Sequence, residues 1–425
     1  MTKEKSQGSN MMESTTLEPV PKEDRKSWVN IAFITAGGMI CVPSLVIGGM
    51  LVAEMSLASA LLAGTIGYIL TVLLGFAMGV IGSDIGRPTC MTAVPAFGGK
   101  GTQYIVSILF TISLLGWYGL QNNICGPAFS QMMMQICGID IPVWVSSLIW
   151  GIIMLITALY GINALEILNK ISVPALIIVT IYGTYLAAKT YGTDGLTAIG
   201  QNESMSVLSG ALMTFSFMTV VSILMPDVTR YQKTRADVFK SNFIGIMPAG
   251  LGLLALGCVL TGLAGNSDIT LVLSDLGIPV LGMIVLILST WTTNTLNAYG
   301  AGLNVVMMFN LKESSRGRVT LISGSVGTIL AVLGILDHLA LFIDLLGATL
   351  TPMAGVIMAD YFILKKGRPE SWKYTEGFNW IGIASWIIGF ALTKLIPSEW
   401  ALVIDLIGAG AVHVVLTKVL RKENA

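Results

Sequence analysis

WVNIAFITAGGMICVPSLVIGGMLVAE, residues 28–54, is long and apolar enough to cross a bilayer, yet it is interrupted in its own middle. Gly37-Gly38 adopts unusual backbone angles at little cost, and Pro43 removes an amide donor and crowds the preceding turn. The spacing predicts helix, an unwound link near 37–41, then helix. Such a link exposes carbonyl oxygens at mid-membrane, where irregular backbone survives only against protein or a water-lined cavity. Close helix packing through small residues would use the same glycines. The rest of the chain has to separate the two readings.

Composition narrows the class first. The 425 residues are 54% hydrophobic and 11% charged, with mean hydropathy +0.78. A soluble protein of this size needs a larger charged surface, so most of the chain belongs in a bilayer. Residues 1–27 are polar, lack the apolar core of a cleavable signal, and read as a solvated cytoplasmic tail. Cys41, Cys90, Cys125, Cys137 and Cys258 form no CxxC pair, and His338 and His413 lie far apart, which argues against a disulfide framework or a metal cluster. No GxxxxGK[ST] phosphate loop is present, so nothing points to ATP as the energy source.

Apolar stretches of membrane-spanning length occur near 28–53, 57–82, 102–125, 142–161, 165–188, 206–225, 241–264, 278–308, 319–335, 339–362, 378–395 and 400–418. With the N-terminus inside, this division puts 22 of the 24 Lys and Arg on one side, leaving Lys189 and Lys394. That asymmetry is what the positive-inside rule expects of twelve spans with both tails cytoplasmic. If the chain contains a repeat of five spans, the polar span SVLSGALMTFSFMTVVSILMPDVTRY (206–231), with Phe215 and Phe217 at its middle, is the natural partner of the first. Spans 1–5 (28–188) and 6–10 (206–362) then have opposite orientations, an architecture of secondary transporters with broken first helices and midplane binding. Spans 11 and 12 (378–418) are accessory, and 419–425 is a second cytoplasmic tail.

Two polar clusters interrupt the apolar spans. In SLLGWYGLQNNICGPAF (113–129), Trp117 and Gln121 are four residues apart and share a helix face. A core aromatic beside a satisfied amide gives that pattern, and so does a stacking surface for a planar ring with C=O and N–H groups. In LSTWTTNTLNAYGAGL (288–303), Ser289, Thr292, Thr293, Asn297 and Gly300 form one stripe, with Thr290 and Asn294 at its flank. So many polar groups exceed what glues two helices. Hydroxyls beside unwound carbonyls make a neutral hard-oxygen cage for an alkali cation. No carboxylate lies near the middle of spans 1, 6 or 8, which argues against a proton relay there. Asp344 is the one acid placed for embedding, near the outer boundary. No nucleophile, acid–base pair or metal cluster is arranged as an enzyme would need.

The segments GWYG (116–119), PDVTRY (226–231), WTTN (291–294) and MADYF (358–362), at this spacing, resemble the nucleobase:cation symporter-1 family, and within it the cytosine permease branch. The resemblance runs from about residue 28 to 420. It implies an all-α membrane protein of the LeuT-like five-plus-five inverted-repeat fold, with helices 1 and 6 broken, working by alternating access in the cell membrane. Its expected cargo is a nucleobase, cytosine first, carried in with sodium; no cofactor or nucleic acid is involved, and the chain is expected to be monomeric. Carried over by position, the base stacks on Trp117 under an aromatic of span 6; Phe217 is chosen, although gap-free counting from Asp227 lands on Met218, and Phe215 stands nearby. Asn294 would hydrogen-bond the base, with Asn297 second and Gln121 beside the Trp. Sodium would take the carbonyls of Gly37, Ile40 and Ser289 and the hydroxyls of Thr292 and Thr293.

The departures concern cargo. The cytosine branch carries Gln three residues before the stacking Trp, where this chain has Leu114, and Asn where it has Ser289. Gln121 substituting for the missing amide leaves open a purine, a hydantoin- or allantoin-like ring or a hydroxymethylpyrimidine, and a proton in place of sodium. Two loop features are ambiguous. Residues 82–101 read as a cytoplasmic connector with a short broken helix. Asp227 and Arg230 fit either an inner-gate ion pair or ordinary capping.

Overall fold

The computed structural model describes residues 17–192, 204–264, 279–333, 339–395 and 400–422, and it is almost wholly helical. Among the described residues, each of the twelve apolar stretches contains helix. The helices are α1 (Trp28–Met39), α2 (Val42–Glu54), α3 (Leu57–Ile85), α4 (Thr89–Phe97), α5 (Ser107–Cys137), α6 (Val143–Leu159), α7 (Ile162–Tyr191), α8 (Val207–Ile223), α9 (Pro226–Thr229), α10 (Arg235–Ala264), α11 (Pro279–Met308), α12 (Arg316–Val332), α13 (Leu339–Met358), α14 (Trp380–Leu395) and α15 (Ala401–Lys422). Among the described residues, seven helices are long and apolar enough to cross a membrane, and the bent α1–α2 pair makes an eighth. Val143–Leu159 and Trp380–Leu392 are apolar but shorter. His338 lies outside the described residues, and so does the side chain of Asp344.

The first span breaks at the far end of the expected 37–41 link, and Gly37 and Gly38 themselves remain helical. α1 ends at Met39, Ile40 takes ψ 78°, Cys41 is extended, and the two halves are bent by 55°. Ser44, in the first turn of α2, donates its hydroxyl to the Met39 carbonyl at 3.0 Å and accepts from Tyr68 Oη at 3.0 Å. The break is therefore held by side-chain hydrogen bonds that a continuous helix would not need.

The sixth span departs from expectation. α8 runs without interruption from Val207 to Ile223, and the break falls at Leu224–Met225, past its polar stretch and just ahead of Pro226. The hydroxyls of Thr214, Ser216 and Thr219 each donate to the carbonyl four residues back, at 2.7–2.9 Å. Polar residues that satisfy themselves within the helix give it no reason to unwind. The segment expected as a connector also differs: every residue of α4 is buried, and the Asp227 carboxylate accepts the Thr89 amide at its start, at 2.7 Å.

Helix pairing forms two groups. α1–α2, α3, α8 and α10 pack together, as do α5, α6, α11 and α12; α7 touches α1, α10 and α11, while α13, α14 and α15 pack beside them. Gly48 and Gly257 mark the closest approach of α2 and α10. A Cβ on Gly48 would lie 2.1 Å from the Leu254 carbonyl oxygen, and one on Gly257 2.1 Å from that of Leu45. Backbone cannot yield as a side-chain tip can. Gly257→Ala is expected to cost about 1–3 kcal/mol by overpacking, read as lower thermal stability of the purified protein. Gly252→Ala, with nothing within 4 Å, is the neutral control.

The ends of the helices near residues 84 and 361 are tied by polar contacts. Tyr361 Oη donates to Asp84, which also takes two bonds from Arg235 Nε and one from Nη2. Lys26 N donates to the Tyr231 carbonyl, and Arg25 donates to the carbonyls of Ser83 and Gln232. Tyr231 of PDVTRY and Tyr361 of MADYF thus act here as structural ties.

Candidate functional site: a central cavity beside an oxygen cluster

Between the two helix groups lies a cavity with about 60 Å³ open to the centre of a water molecule. α5 contributes Leu114, Trp117 and Gln121; α8 contributes Phe217, Met218, Val220 and Val221; α11 contributes Thr293, Leu296, Asn297 and Gly300. Gly38 and Cys41 reach it from the broken first span, and Asp227 from α9. The walls are apolar, with four polar side chains converging on them. Gly38 and Gly300 keep the space open: a Cβ at either would come within 3.1 Å of Leu296 or Leu114.

On α5, neighbouring amides have different duties. Asn122 donates to the Ser147 carbonyl and Asn123 to the Ala331 carbonyl, binding α5 to α6 and α12. Gln121 faces the cavity, 2% exposed, and its Oε1 has no hydrogen-bond partner among the described residues. A buried, unpaired acceptor in a cavity wall is suited to a ligand N–H. Trp117, one turn earlier, lines the same wall and meets Phe342 edge-on at 5.8 Å between centroids.

The span-6 candidates separate cleanly. Phe215 is packed in the core, whereas Phe217 and Met218 both line the cavity. Asn294 and Asn297 separate as well. Asn294 donates to the Tyr118 carbonyl at 2.9 Å, and its Oδ1 accepts from Asn297 at 3.2 Å. Asn297, not Asn294, is on the cavity wall, with Asn294 orienting it from behind.

The polar stripe of α11 now resolves residue by residue. Ser289, Thr290 and Thr295 donate to carbonyls of their own helix. Trp291 Nε1 donates to Thr157 of α6. Thr292 and Thr293 bridge to the broken span: Thr292 Oγ1 is 3.0 Å from the Gly37 carbonyl and 2.9 Å from that of Ser289, while Thr293 Oγ1 is 3.4 and 2.9 Å from the same two oxygens. Four of the five groups named for sodium are therefore together. Ile40, at the end of α1, is buried where the helix breaks. Hydroxyl hydrogens rotate freely, so these oxygens can turn their lone pairs to a cation. Thr293 belongs to both the cluster and the cavity wall.

Asp227 on the wall was not legible as a cavity residue from sequence. It is 3% exposed and caps α4, while Arg230 is wholly buried and donates to Tyr231 Oη at 3.0 Å and Tyr299 Oη at 2.7 Å. The only sequence signal was a buried acid–base pair three residues apart after an apolar span.

A family model described as a permease for cytosine/purines, uracil, thiamine and allantoin matches residues 19–411. The chain belongs to this permease family, nucleobase:cation symporter-1. The permease is 27% identical over 410 residues to the cytosine permease of Escherichia coli (strain K12), covering 96% of this chain and 94% of that one. It is 26% identical over 355 residues to the hydantoin permease of Microbacterium maritypicum, covering 75% and 71%. In fold the permease is similar to Mhp1, a nucleobase-cation-symport-1 family transporter solved in a closed conformation with bromovinylhydantoin bound, at TM-score 0.86 and 20% identity, with 97% of each chain covered.

Proposed function

We propose that this permease imports a nucleobase, cytosine first, in symport with sodium by alternating access. The observation that carries the reading is Thr293, which lines the central cavity and also joins the carbonyl cluster formed with Gly37 and Ser289. A cation held there would fix α1 against α11 and thereby order the wall that carries Asn297. By linkage, the base would tighten sodium by the same factor as sodium tightens the base. The base would stack between Trp117 and Phe217, with Gln121 and Asn297 meeting its polar edge.

Twelve crossings with both termini cytoplasmic complete the proposal. The packing groups support a five-span repeat: shifting spans 1, 2 and 3, 4 by five gives 6, 7 and 8, 9, their own partners. The unbroken run of α8 is the feature such a repeat has to accommodate.

A second reading rests on Leu114, an apolar group on the wall where the cytosine branch carries Gln. It favours a hydantoin-like ring whose polar edge is met by Gln121 alone. Uptake of radiolabelled cytosine into cells lacking their own permeases, with and without a sodium gradient and competed by purines, pyrimidines and hydantoins, decides between them. Sodium-dependent accumulation blocked by cytosine is expected. Displacement by a hydantoin alone would make Leu114 and Gln121 the specificity pair, and accumulation indifferent to sodium would remove the symport.

A further inference from the structure

Asn169 lies on α7, which packs against both α1 and α11 and contributes no residue to the central cavity. Its side chain is 1% exposed, and neither Oδ1 nor Nδ2 has a hydrogen-bond partner among the described residues. A buried amide unpaired at both ends is costly and calls for an explanation. The amide abuts Gly37: a Cβ there would be 2.1 Å from Asn169 Oδ1, 2.3 Å from Cγ and 2.7 Å from Nδ2. Gly37 is also the residue whose carbonyl accepts from Thr292 and Thr293. Any side chain at 37 would push the amide away, so the glycine explains the closeness of α7 to the oxygen cluster. Asn242 is likewise unpaired at both ends, but its neighbour is Gly75, away from the cluster.

We propose that Asn169 is a further ligand of the cation site, its Oδ1 adding a side-chain oxygen from a third helix to those of α1 and α11. The inference rests on the sodium site proposed above. A carboxamide oxygen is a neutral, hard donor of the same kind as the carbonyls beside it. A cation bound by it would tie α7 to α1 and α11, so that binding and release engage three helices.

The test is equilibrium binding of radioactive sodium to the purified full chain, ionic strength held constant with choline chloride, for the wild type, Asn169→Ala, Asn169→Asp and Thr293→Ala. Loss of an oxygen that contacts the ion is expected to weaken sodium about tenfold in Asn169→Ala. Asn169→Asp, nearly isosteric, is expected to bind sodium more tightly as pH rises and the carboxylate ionises, whereas the wild type stays flat. Because a nearby carboxylate also attracts the ion through space, the loss in Asn169→Ala is the deciding arm and the pH profile of Asn169→Asp the supporting one. Wild-type sodium binding in Asn169→Ala alongside weakened binding in Thr293→Ala would overturn the role of Asn169 and leave the site standing. So would a flat pH profile in Asn169→Asp. Unweakened binding in Thr293→Ala would remove the site itself, and this inference with it.

Discussion

Trp117→Ala is expected to weaken binding of the transported base by about 5- to 150-fold, since stacking of a base on an aromatic side chain contributes about 1–3 kcal/mol. Trp117 is half-buried on the wall of the central cavity, which Phe217 also lines, and lies one turn from Gln121. The substitution removes the flat surface but leaves the hydrogen-bonding groups in place. Trp117→Phe, which keeps a smaller ring, is expected to fall between. Equilibrium binding of labelled base to purified protein at saturating sodium measures the effect. A stability control is needed because Trp117 also packs on Phe342. An unchanged melting temperature with lost binding assigns the effect to the site. Unchanged binding would take Trp117 out of the base site and leave its contact with Phe342 as its role.

Thr292→Ala/Thr293→Ala is the second large effect. Each hydroxyl donates to the carbonyls of Gly37 and Ser289. Hydrogen bonds and contacts to charged groups contribute about 1.5–3 kcal/mol each, so the single variants are expected to raise the sodium concentration for half-maximal uptake about tenfold or more. The pair is expected to abolish dependence on sodium. Serine at either position restores the oxygen without the methyl, and so Thr293→Ser is expected to act close to wild type. The readout is uptake against a sodium titration at fixed base. A double variant that keeps its sodium response would place the cation elsewhere in the permease.

How much of this was legible beforehand depended on whether the signal was local. The broken first span was legible because Gly37-Gly38 and Pro43 act on their own backbone, although the break falls at Ile40–Cys41, between the glycines and the proline, and not at the glycines themselves. Trp117 and Gln121 were legible as a pair because the four-residue period of a helix sets their shared face without reference to any other element. The stripe on α11 was legible as a stripe for the same reason. Span 6 was expected to break, yet α8 runs unbroken through its polar stretch, because polar composition does not say where hydroxyls find their acceptors, and Thr214, Ser216 and Thr219 find theirs four residues back.

The residues of the stripe could be sorted only in three dimensions. Sequence spacing treats Asn294 and Asn297 as near equals; the Tyr118 carbonyl, brought in by α5, occupies Asn294 and leaves Asn297 to face the cavity. Asp227 became a wall residue because α9 turns it toward Gly300 and the start of α4. Asn169 carried no sequence signal at all, since one amide in an apolar span is common helix glue. Its position against Gly37 exists only because α7 crosses α1 where α1 has no side chain. Local backbone chemistry and helical period set the membrane class, the first break and the polar faces. Which face met which, and which polar groups stayed unpaired, was decided by helix packing between residues far apart in the chain, and no one segment encodes that.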